Sequence, residues 1–242
     1  MIKNTIKIEG YDVFADGSVK LSALLRYMQQ AAAEDLDSYG VTYDQMRGDD
    51  LVFVIVKIGI ELSGVIKKGD EIEILTVNTA VNGITFVREF ILYKNSLPIA
   101  KSTTHWVLMS YSRRVPVRPS RLNYKTQSLG DDFVGVKLPR TLFDEESFDF
   151  TSEHKVAYTE IDINNHMNNT VYADLVYNYA PEDIVSGFGK TRLAACSIYF
   201  NGEARLGDIL TVKVKSVPGG HIIKCLNKKT GKSCFDANAF FK

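Results

Sequence analysis

An acidic residue, an amide and an imidazole alternate within five residues, at Asp162, Asn164 and His166. Side chains of these types can activate a water molecule, hold it by hydrogen bonds and move a proton. The same segment continues through Asn169 and Tyr172 into residues with helical spacing. No metal-ligand cluster, phosphate-binding loop or cofactor motif competes with it in the sequence. The pattern therefore predicts chemistry on a carbonyl group, without a metal or a cofactor.

Two segments with helical periodicity stand among many segments with strand character. Between Ser18 and Tyr39, apolar residues recur at helical spacing, and Gly40 follows as a stop signal. From Asn169 to Ala180 the pattern is similar, with Asn168 or Asn169 as the N-cap. The second predicted helix thus begins directly after the polar trio and would position it.

Alternating or continuous apolar patterns predict antiparallel strands in both halves, separated by turns that contain Gly or Asn. The predicted strands are 51–62, 71–79, 85–94, 99–110, 155–159, 191–200, 209–216, 221–227 and 233–241. Each half would have one main helix near its start and several long strands after it.

The two halves resemble copies of one unit. The segment 60–70 aligns with 198–208, where Gly69 falls on Gly207. In the two predicted helices, Leu21 aligns with Val171. The same order of helix, strand and Gly-Asp turn in both halves favours a duplication. We therefore predict an N-terminal repeat over 1–125, a connector over 126–150 and a C-terminal repeat over 151–242.

The composition is typical of a globular protein in water, with 45% hydrophobic and 24% charged residues. The net charge is zero, which gives no electrostatic reason to expect nucleic acid or an anionic membrane as partner. No apolar run reaches the roughly 18 residues that a membrane span needs. The first residues lack the features of a secretory signal, and the three cysteines show no CxxC spacing. We expect a reduced, cytoplasmic protein.

One helix followed by long antiparallel strands, twice over, resembles the tandem (double) hotdog. In this α+β fold, each half is a curved antiparallel sheet wrapped around a long central helix. The segment from Asp162 to Tyr172 resembles the catalytic segment of acyl-ACP thioesterases, and the segments 24–32, 51–54 and 106–109 are also similar to that family. The resemblance covers nearly the whole chain. It implies hydrolysis of the thioester between a fatty acid and acyl carrier protein (ACP), which would end chain elongation.

The resemblance also implies a catalytic set, which consists of Asp162, Asn164, His166 and Glu203. Asp162 or Glu203 would activate a water, and Asn164 would hold that water or the carboxylate. His166 would polarise the carbonyl or relay a proton to the leaving thiol. Backbone N–H groups near Asn169 would stabilise the oxyanion, because helix N-termini present unpaired donors.

One position departs from the family pattern. Plant members often have a cysteine next to the glutamate that Glu203 matches, whereas this chain has Ala204. This argues against a cysteine nucleophile. In the N-terminal repeat, Ser18 and Val19 lie near the position of the catalytic histidine. That repeat would therefore form the acyl pocket without taking part in the chemistry.

Two further sets of residues are predicted to bind the substrate or its carrier. The substrate-binding set is Leu24, Met28, Phe53, Trp106 and Asn169, although ordinary core packing explains the apolar members equally well. The set for docking the acidic carrier is Arg113, Arg114, Arg118 and Arg121, for which a solvated connector is the alternative.

Several alternatives remain open from the sequence. The partner is expected to be ACP with its phosphopantetheine-linked acyl chain, but an acyl-CoA thioesterase of the same fold would use the same chemistry. A hotdog dehydratase or hydratase and a non-catalytic acyl-binding protein are further alternatives. Both a monomer and a homodimer are compatible with the sequence, and the preferred acyl length is left open.

Overall fold

The computed structural model describes residues 2–122, 135–136, 147–182, 184 and 191–242. The chain divides into two compact units: one comprises residues 1–19 and 24–137, the other residues 20–23 and 138–242. Within the described ranges, no helix has the length and apolar character that crossing a membrane would require.

The first unit is an antiparallel sheet with one long helix. Its strands are β1 (Ile2–Lys7), β2 (Leu51–Leu62), β3 (Glu71–Asn82), β4 (Thr85–Lys94) and β5 (Leu97–Ser110). They hydrogen-bond in the order β1-β3-β4-β5-β2. The helices are α1 (Leu21–Ser38) and the short α2 (Tyr43–Gly48).

Helix α1 is fixed to its sheet by a buried ion pair. Leu24, Leu25 and Met28 are buried at helical spacing and form its apolar face. Further along α1, the carboxylate of Asp35 lies 2.9 Å from the guanidinium of Arg88 on β4, and both side chains are almost fully buried. Two charges removed from water must be paired, so this contact fixes the helix relative to β4.

The second unit has a similar plan with a shorter helix. Its strands are β6 (Phe150–Lys155), β7 (Leu193–Phe200), β8 (Ile209–Val217), β9 (Gly220–Asn227) and β10 (Ser233–Phe241), in the order β7-β10-β9-β8-β6. Helix α3 (Asn169–Asn178) packs on this sheet. The ring of Tyr172 meets those of Phe235 and Phe200 edge to face, at 4.8 and 5.6 Å between centroids.

The two units repeat the same hydrogen bonds at one turn. The N–H of Gly69 donates to the carbonyl of Ile8, and the N–H of Gly207 donates to the carbonyl of Val156. Both glycines have a left-handed φ, of 86° and 81°, which a residue without a side chain adopts without strain. These equivalent bonds support the duplication and the predicted alignment of Gly69 with Gly207.

The predicted alignment of the two helices, with Leu21 on Val171, is wrong by two positions. The N–H of Phe14 donates to the carbonyl of Ser18, as the N–H of Asp162 does to the carbonyl of His166. We call the pairing of Phe14 with Asp162 and of Ser18 with His166 the loop alignment. In the same alignment, the first residue of α1, Leu21, corresponds to the first residue of α3, Asn169. Helical periodicity tolerates small shifts, because apolar residues recur every three or four positions, whereas the loop hydrogen bonds admit one register.

Most predicted strands are present, with ends that differ by up to three residues, but the strand predicted over 155–159 is wrong. The strand lies earlier, at β6, and a 3-10 turn occupies Tyr158–Glu160. The carboxylate of Glu160 accepts the N–H of Ala157 at 2.8 Å and so closes that turn.

The sequence analysis missed strand β1 and helix α2. The predicted connector over 126–150 lies mostly outside the described residues, and the predicted repeat boundaries stay a prediction.

Replacing Arg88 by Met should lower the free energy of unfolding by about 3–5 kcal/mol, because it leaves the Asp35 carboxylate buried without its cation. The double variant Arg88→Met, Asp35→Leu should recover most of this loss. Chemical denaturation of the three proteins measures both effects. A single variant as stable as the wild type would show that the pair does not fix α1 to the sheet.

Candidate active site

The polar trio lies on a tight hairpin between the 3-10 turn and α3. Ile161 and Met167 form an antiparallel bridge, and the N–H of Asp162 donates to the carbonyl of His166 at 2.9 Å. At the tip, the N–H of Asn165 donates to the carbonyl of Asp162 at 3.0 Å. The hairpin thus holds the side chains of Asp162 and His166 close to each other on neighbouring strands.

The tip of the hairpin needs a residue in the left-handed conformation, and Asn165 supplies it with φ 63°. Asparagine adopts this conformation more readily than most residues with a side chain. Oδ1 of Asp162 accepts the N–H of Asn164 at 2.8 Å, which is an Asx turn. Asp162 therefore shapes the loop as well as offering a carboxylate.

A second segment, around Glu203, is joined to the hairpin by the backbone. The N–H of Met167 donates to the carbonyl of Ala204 at 2.8 Å. Tyr172 is buried on α3 beside the backbone of Ala204, and its burial raises the pKa of the phenol well above the usual value. Tyr172 is therefore a packing residue that lies against the segment that carries Glu203.

His166 lies between two carboxylates. Its Nε2 is 3.2 Å from Oε1 of Glu203, and its Nδ1 is 4.0 Å from Oδ1 of Asp162. The side chains of His166 and Asp162 are 18% and 22% exposed, whereas that of Glu203 is 41% exposed. The other oxygen of Glu203 lies 3.7 Å from the guanidinium of Arg205. Of the four predicted catalytic residues, His166 and Glu203 thus make a direct polar contact, and the Asp162 carboxylate lies at ion-pair distance from the same imidazole.

Asn164 is placed beside this group by its backbone. Its N–H donates to Asp162, and its side chain is half-buried. Sequence reasoning overlooked Arg205, although it stands two positions after Glu203 and its counterpart in the first repeat is Lys67. It also overlooked Glu160, whose carbonyl accepts the N–H of Asn168 at 2.8 Å and whose carboxylate lies 3.0 Å from Nε2 of His154.

The N-cap of α3 lies two residues beyond His166 on the chain. Asn168 is the N-cap, and its Oδ1 accepts the N–H of Thr170 at 2.9 Å. Asn169 is the first helical residue, where a backbone N–H has no partner within the helix. This arrangement agrees with the predicted place of an oxyanion donor near Asn169, and that role stays a prediction.

The equivalent loop of the first unit has the same hairpin hydrogen bonds and lacks the polar trio. In the loop alignment, Phe14 corresponds to Asp162 and Ser18 corresponds to His166. In the alignment of Gly69 with Gly207, Val65 corresponds to Glu203. Ser18 was predicted near this position. The first unit has therefore kept the scaffold and lacks the histidine and both carboxylates.

The cysteines are poor nucleophiles. Cys196, Cys225 and Cys234 are buried and unpaired. Burial raises the pKa of the Cys196 thiol to about 12 and that of Cys234 to about 11, so the reactive thiolate is scarce at neutral pH. This supports the inference drawn from Ala204. Within the described ranges, no three His, Cys, Asp or Glu side chains form a group that could hold a metal ion.

The predicted pocket residues fall in two places. Leu24 and Met28 are buried on α1. Phe53 and Trp106 are partly buried against a cluster made of Met46, Leu51, Phe86 and Leu108, which includes a residue of α2. The rings of Phe53 and Phe86 meet at 5.0 Å. Leu24 and Met28 are not members of that cluster, and the substrate-binding role of all four residues stays a prediction.

The four predicted docking arginines lie on an exposed segment after β5. Arg113, Arg114, Arg118 and Arg121 are all exposed. The guanidinium of Arg114 lies 5.3 Å from the ring centre of Tyr111, and Arg47 from α2 stacks on the same ring. The segment is basic and well defined, but its role in docking stays a prediction.

The chain matches two family models. One describes the N-terminal domain of acyl-ACP thioesterases and matches residues 1–121, and the other describes their C-terminal domain and matches residues 144–239. Among sequence relatives, a chloroplastic dodecanoyl-[acyl-carrier-protein] hydrolase of Cinnamomum camphora is 22% identical over 234 residues. That match covers 91% of this chain and 60% of the relative, so the chain spans only part of the length of that enzyme.

Solved structures share the fold over the whole chain. An acyl-ACP thioesterase from Bacteroides thetaiotaomicron matches with a TM-score of 0.86 and 16% identity, over 100% of this chain and 97% of the other. A 12:0-ACP thioesterase from Umbellularia californica matches with a TM-score of 0.84 and 18% identity, over 100% of this chain and 96% of the other. The predicted α+β tandem hotdog is thereby confirmed.

Replacing Asn165 by Val should lower the free energy of unfolding by about 1–2 kcal/mol, because a β-branched residue is strained at a positive φ. It should also lower turnover, since His166 follows directly. Asn165→Gly should retain both stability and turnover.

Gly17 occupies the same turn position in the first unit, with φ 80°. Gly17→Val is therefore the matched control: it should lose comparable stability and keep its turnover at a temperature where all variants are folded. Equal turnover in Asn165→Val and Gly17→Val would show that the hairpin conformation does not position His166.

Proposed function

Because the chain belongs to the acyl-ACP thioesterase family, we propose that it hydrolyses fatty acyl-ACP to free fatty acid and ACP. The observation that carries this proposal is the contact between His166 and Glu203 at 3.2 Å, with the Asp162 carboxylate on the other side of the imidazole. The relative from Cinnamomum camphora bears the name of such a hydrolase. A reaction of this kind would end the elongation of the acyl chain.

In the first step, water attacks the thioester carbon. Glu203 or Asp162 takes a proton from that water, and the new C–O bond leaves a negative charge on the former carbonyl oxygen. Thiolates are better leaving groups than alkoxides, so a carboxylate is a sufficient base for this reaction. N–H groups at the start of α3, near Asn169, stabilise the oxyanion.

In the second step, the oxyanion collapses and the carbon–sulfur bond breaks. The thiolate of the phosphopantetheine arm accepts a proton, which His166 delivers from the carboxylate that took it. The contact between Nε2 of His166 and Glu203 supports a direct relay between these two groups. Every proton removed from water thus goes either to the thiolate or to solvent, and no further reactant is needed.

Glu203 is the better supported base of the two carboxylates. One oxygen of Asp162 already accepts the N–H of Asn164, and the same oxygen lies 4.0 Å from Nδ1 of His166. Asp162 therefore shapes the loop and places a negative charge near the imidazole, and Glu203, which is closer to His166 and more exposed, meets the water. Asn164 assists by holding the water or the Asp162 carboxylate.

The carrier and the acyl length are decided by one panel of substrates. Acyl chains of several lengths are supplied both on ACP and on coenzyme A, and release of free fatty acid is measured. We expect a kcat/KM at least about tenfold higher on ACP, because the protein carrier adds contacts that coenzyme A lacks. Equal or greater efficiency on coenzyme A would favour the acyl-CoA thioesterase, and water addition to an enoyl thioester would favour a hydratase.

The roles proposed for these residues predict that kcat falls by different amounts when each one is replaced. Glu203→Gln and His166→Ala should each lower kcat by about 10²–10⁴-fold, as expected when a general acid or base is removed. Asp162→Asn keeps an oxygen that can accept the N–H of Asn164, so the hairpin should remain, and its smaller loss of kcat isolates the effect of the charge. Ser18→Ala is the matched control, since Ser18 occupies the position of His166 in the first unit. Near-normal turnover in Glu203→Gln would remove Glu203 from the mechanism.

A further inference from the structure

Glu160 lies at the base of the hairpin that carries the polar trio. Its carbonyl accepts the N–H of Asn168 at 2.8 Å. Two residues further along the two strands of the hairpin, the N–H of Asp162 donates to the carbonyl of His166. Asn168 is also the N-cap of α3. The bond between Glu160 and Asn168 therefore fixes the base from which both strands of the hairpin and helix α3 start.

The side chain of Glu160 is held by two donors at one oxygen. Its Oε2 accepts the N–H of Ala157 at 2.8 Å and lies 3.0 Å from Nε2 of His154. An ionised carboxylate only accepts hydrogen bonds, so the imidazole donates in this contact. The side chains of His154 and Glu160 are 17% and 19% exposed. A hydrogen bond to a charged group is strong where most of the water is excluded, so this contact fixes the carboxylate.

His154 is itself held from two sides. It lies on β6, opposite Leu210 of β8. Its ring meets that of Tyr179, the C-cap of α3, edge to face at 6.4 Å between centroids. The hydroxyl of Tyr179 donates to the carbonyl of Glu153 on β6 at 3.2 Å. His154 thus connects the sheet and the end of α3 to Glu160, and through Glu160 to the base of the hairpin.

The first unit closes the same turn with a different partner for its carboxylate. In the loop alignment, Asp12 corresponds to Glu160. Oδ2 of Asp12 accepts the N–H of Glu9 at 3.1 Å, which closes the turn in the same way. The same oxygen accepts the hydroxyl of Tyr27, from α1, at 2.6 Å. Both units therefore keep a carboxylate at this turn and fix it with a side-chain donor.

The imidazole partner belongs to the unit that carries the polar trio. In the loop alignment, β1 corresponds to β6, and the counterpart of His154 is Ile6, whose side chain has no donor. The tyrosine of the first unit, Tyr27, has Leu175 as its counterpart on α3. The second unit therefore holds its turn from the strand side, through a residue that lies next to the start of the candidate active site in the chain.

The base of the hairpin matters for the chemistry because of how the hairpin meets Glu203. The bond from Met167 to Ala204 joins the two segments at one point, and a hairpin held there needs a second fixed point to prevent it from tilting. A displacement of a catalytic group by about 1 Å costs about 100-fold in rate. Glu160 supplies the second point, on the same strand as the start of the trio.

We infer that His154 and Glu160 form a positioning pair. His154 holds the carboxylate of Glu160, and Glu160 holds the base of the hairpin, so that His166 keeps its contact with Glu203. Neither His154 nor Glu160 touches the reacting atoms. The inference rests on the proposed function, and it adds two residues that lie outside the predicted catalytic set.

The test removes the hydrogen bond and keeps the aromatic ring. His154→Phe retains a ring against Tyr179 and loses the donor, so kcat on acyl-ACP should fall about tenfold while KM changes by less than about twofold. His154→Gln keeps an N–H that can donate to Glu160 and should recover at least about half of the wild-type kcat. Tyr27→Phe is the matched control, because it removes the equivalent bond to Asp12 in the first unit. Its kcat should stay within about twofold of the wild type at a temperature where all variants are folded.

A double-mutant cycle tests whether His154 acts through Glu160. Glu160→Ala should lower kcat at least as much as His154→Phe does. Adding His154→Phe to Glu160→Ala should lower kcat by less than about a further twofold, because the effects of residues that act through one contact are not additive.

Amide hydrogen exchange measures the same positioning without turnover. The amide of Asn168 donates to Glu160, so its exchange in the folded protein should be about tenfold faster in His154→Phe than in the wild type. In Tyr27→Phe, the exchange of the Asn168 amide should be unchanged.

A wild-type kcat in His154→Phe would overturn the inference, and so would equal losses of kcat in His154→Phe and Tyr27→Phe, since they indicate general destabilisation. Additive losses in the cycle, a His154→Gln variant as slow as His154→Phe, or unchanged exchange at Asn168 would also overturn it. If the wild type did not hydrolyse acyl-ACP while Asn168 still exchanged faster in His154→Phe alone, the proposed function would fail and the positioning pair would stand.

Discussion

The hydrogen bond from the N–H of Met167 to the carbonyl of Ala204 is the contact on which the candidate active site depends. It joins the hairpin of His166 to the segment of Glu203, which lies beyond α3 and β7 in the chain. Tyr172 reinforces the same point from inside the second unit. Because the backbone fixes both segments, His166 and Glu203 meet without a long flexible side chain having to reach across. Preorganisation of this kind is what a general acid–base pair requires.

The duplication separates what the fold needs from what the chemistry needs. Both units keep the left-handed glycine of the turn, the hairpin bonds and the link equivalent to Met167–Ala204, which joins Val19 to Ile66 at 2.9 Å in the first unit. The residues at the predicted catalytic positions differ between the units, although these backbone hydrogen bonds are the same. Hydrogen bonds of the backbone do not depend on side-chain identity, so one copy can lack the polar residues that the other carries.

Much of the site could be predicted because it is local. Asp162, Asn164 and His166 fall within five residues, and a helix start beside them is visible from its periodicity and cap. Glu203 is distant in sequence and was reached only through the family resemblance. The strand predicted over 155–159 failed because the carboxylate of Glu160 closes a 3-10 turn there, and a carboxylate that bonds to nearby backbone competes with strand formation.

The sequence by itself determined the type of most elements and the chemical groups of the hairpin, and it favoured a duplication, because periodicity, turn residues and local spacing are properties of neighbouring residues. It left open how the sequences of α1 and α3 align with each other. The hydrogen bonds of the loops before the two helices fix that alignment. Only the tertiary structure decided that Glu203 faces Nε2 of His166 while Asp162 is held by the loop. Such contacts depend on which distant strands and loops pair, and no local pattern records that choice.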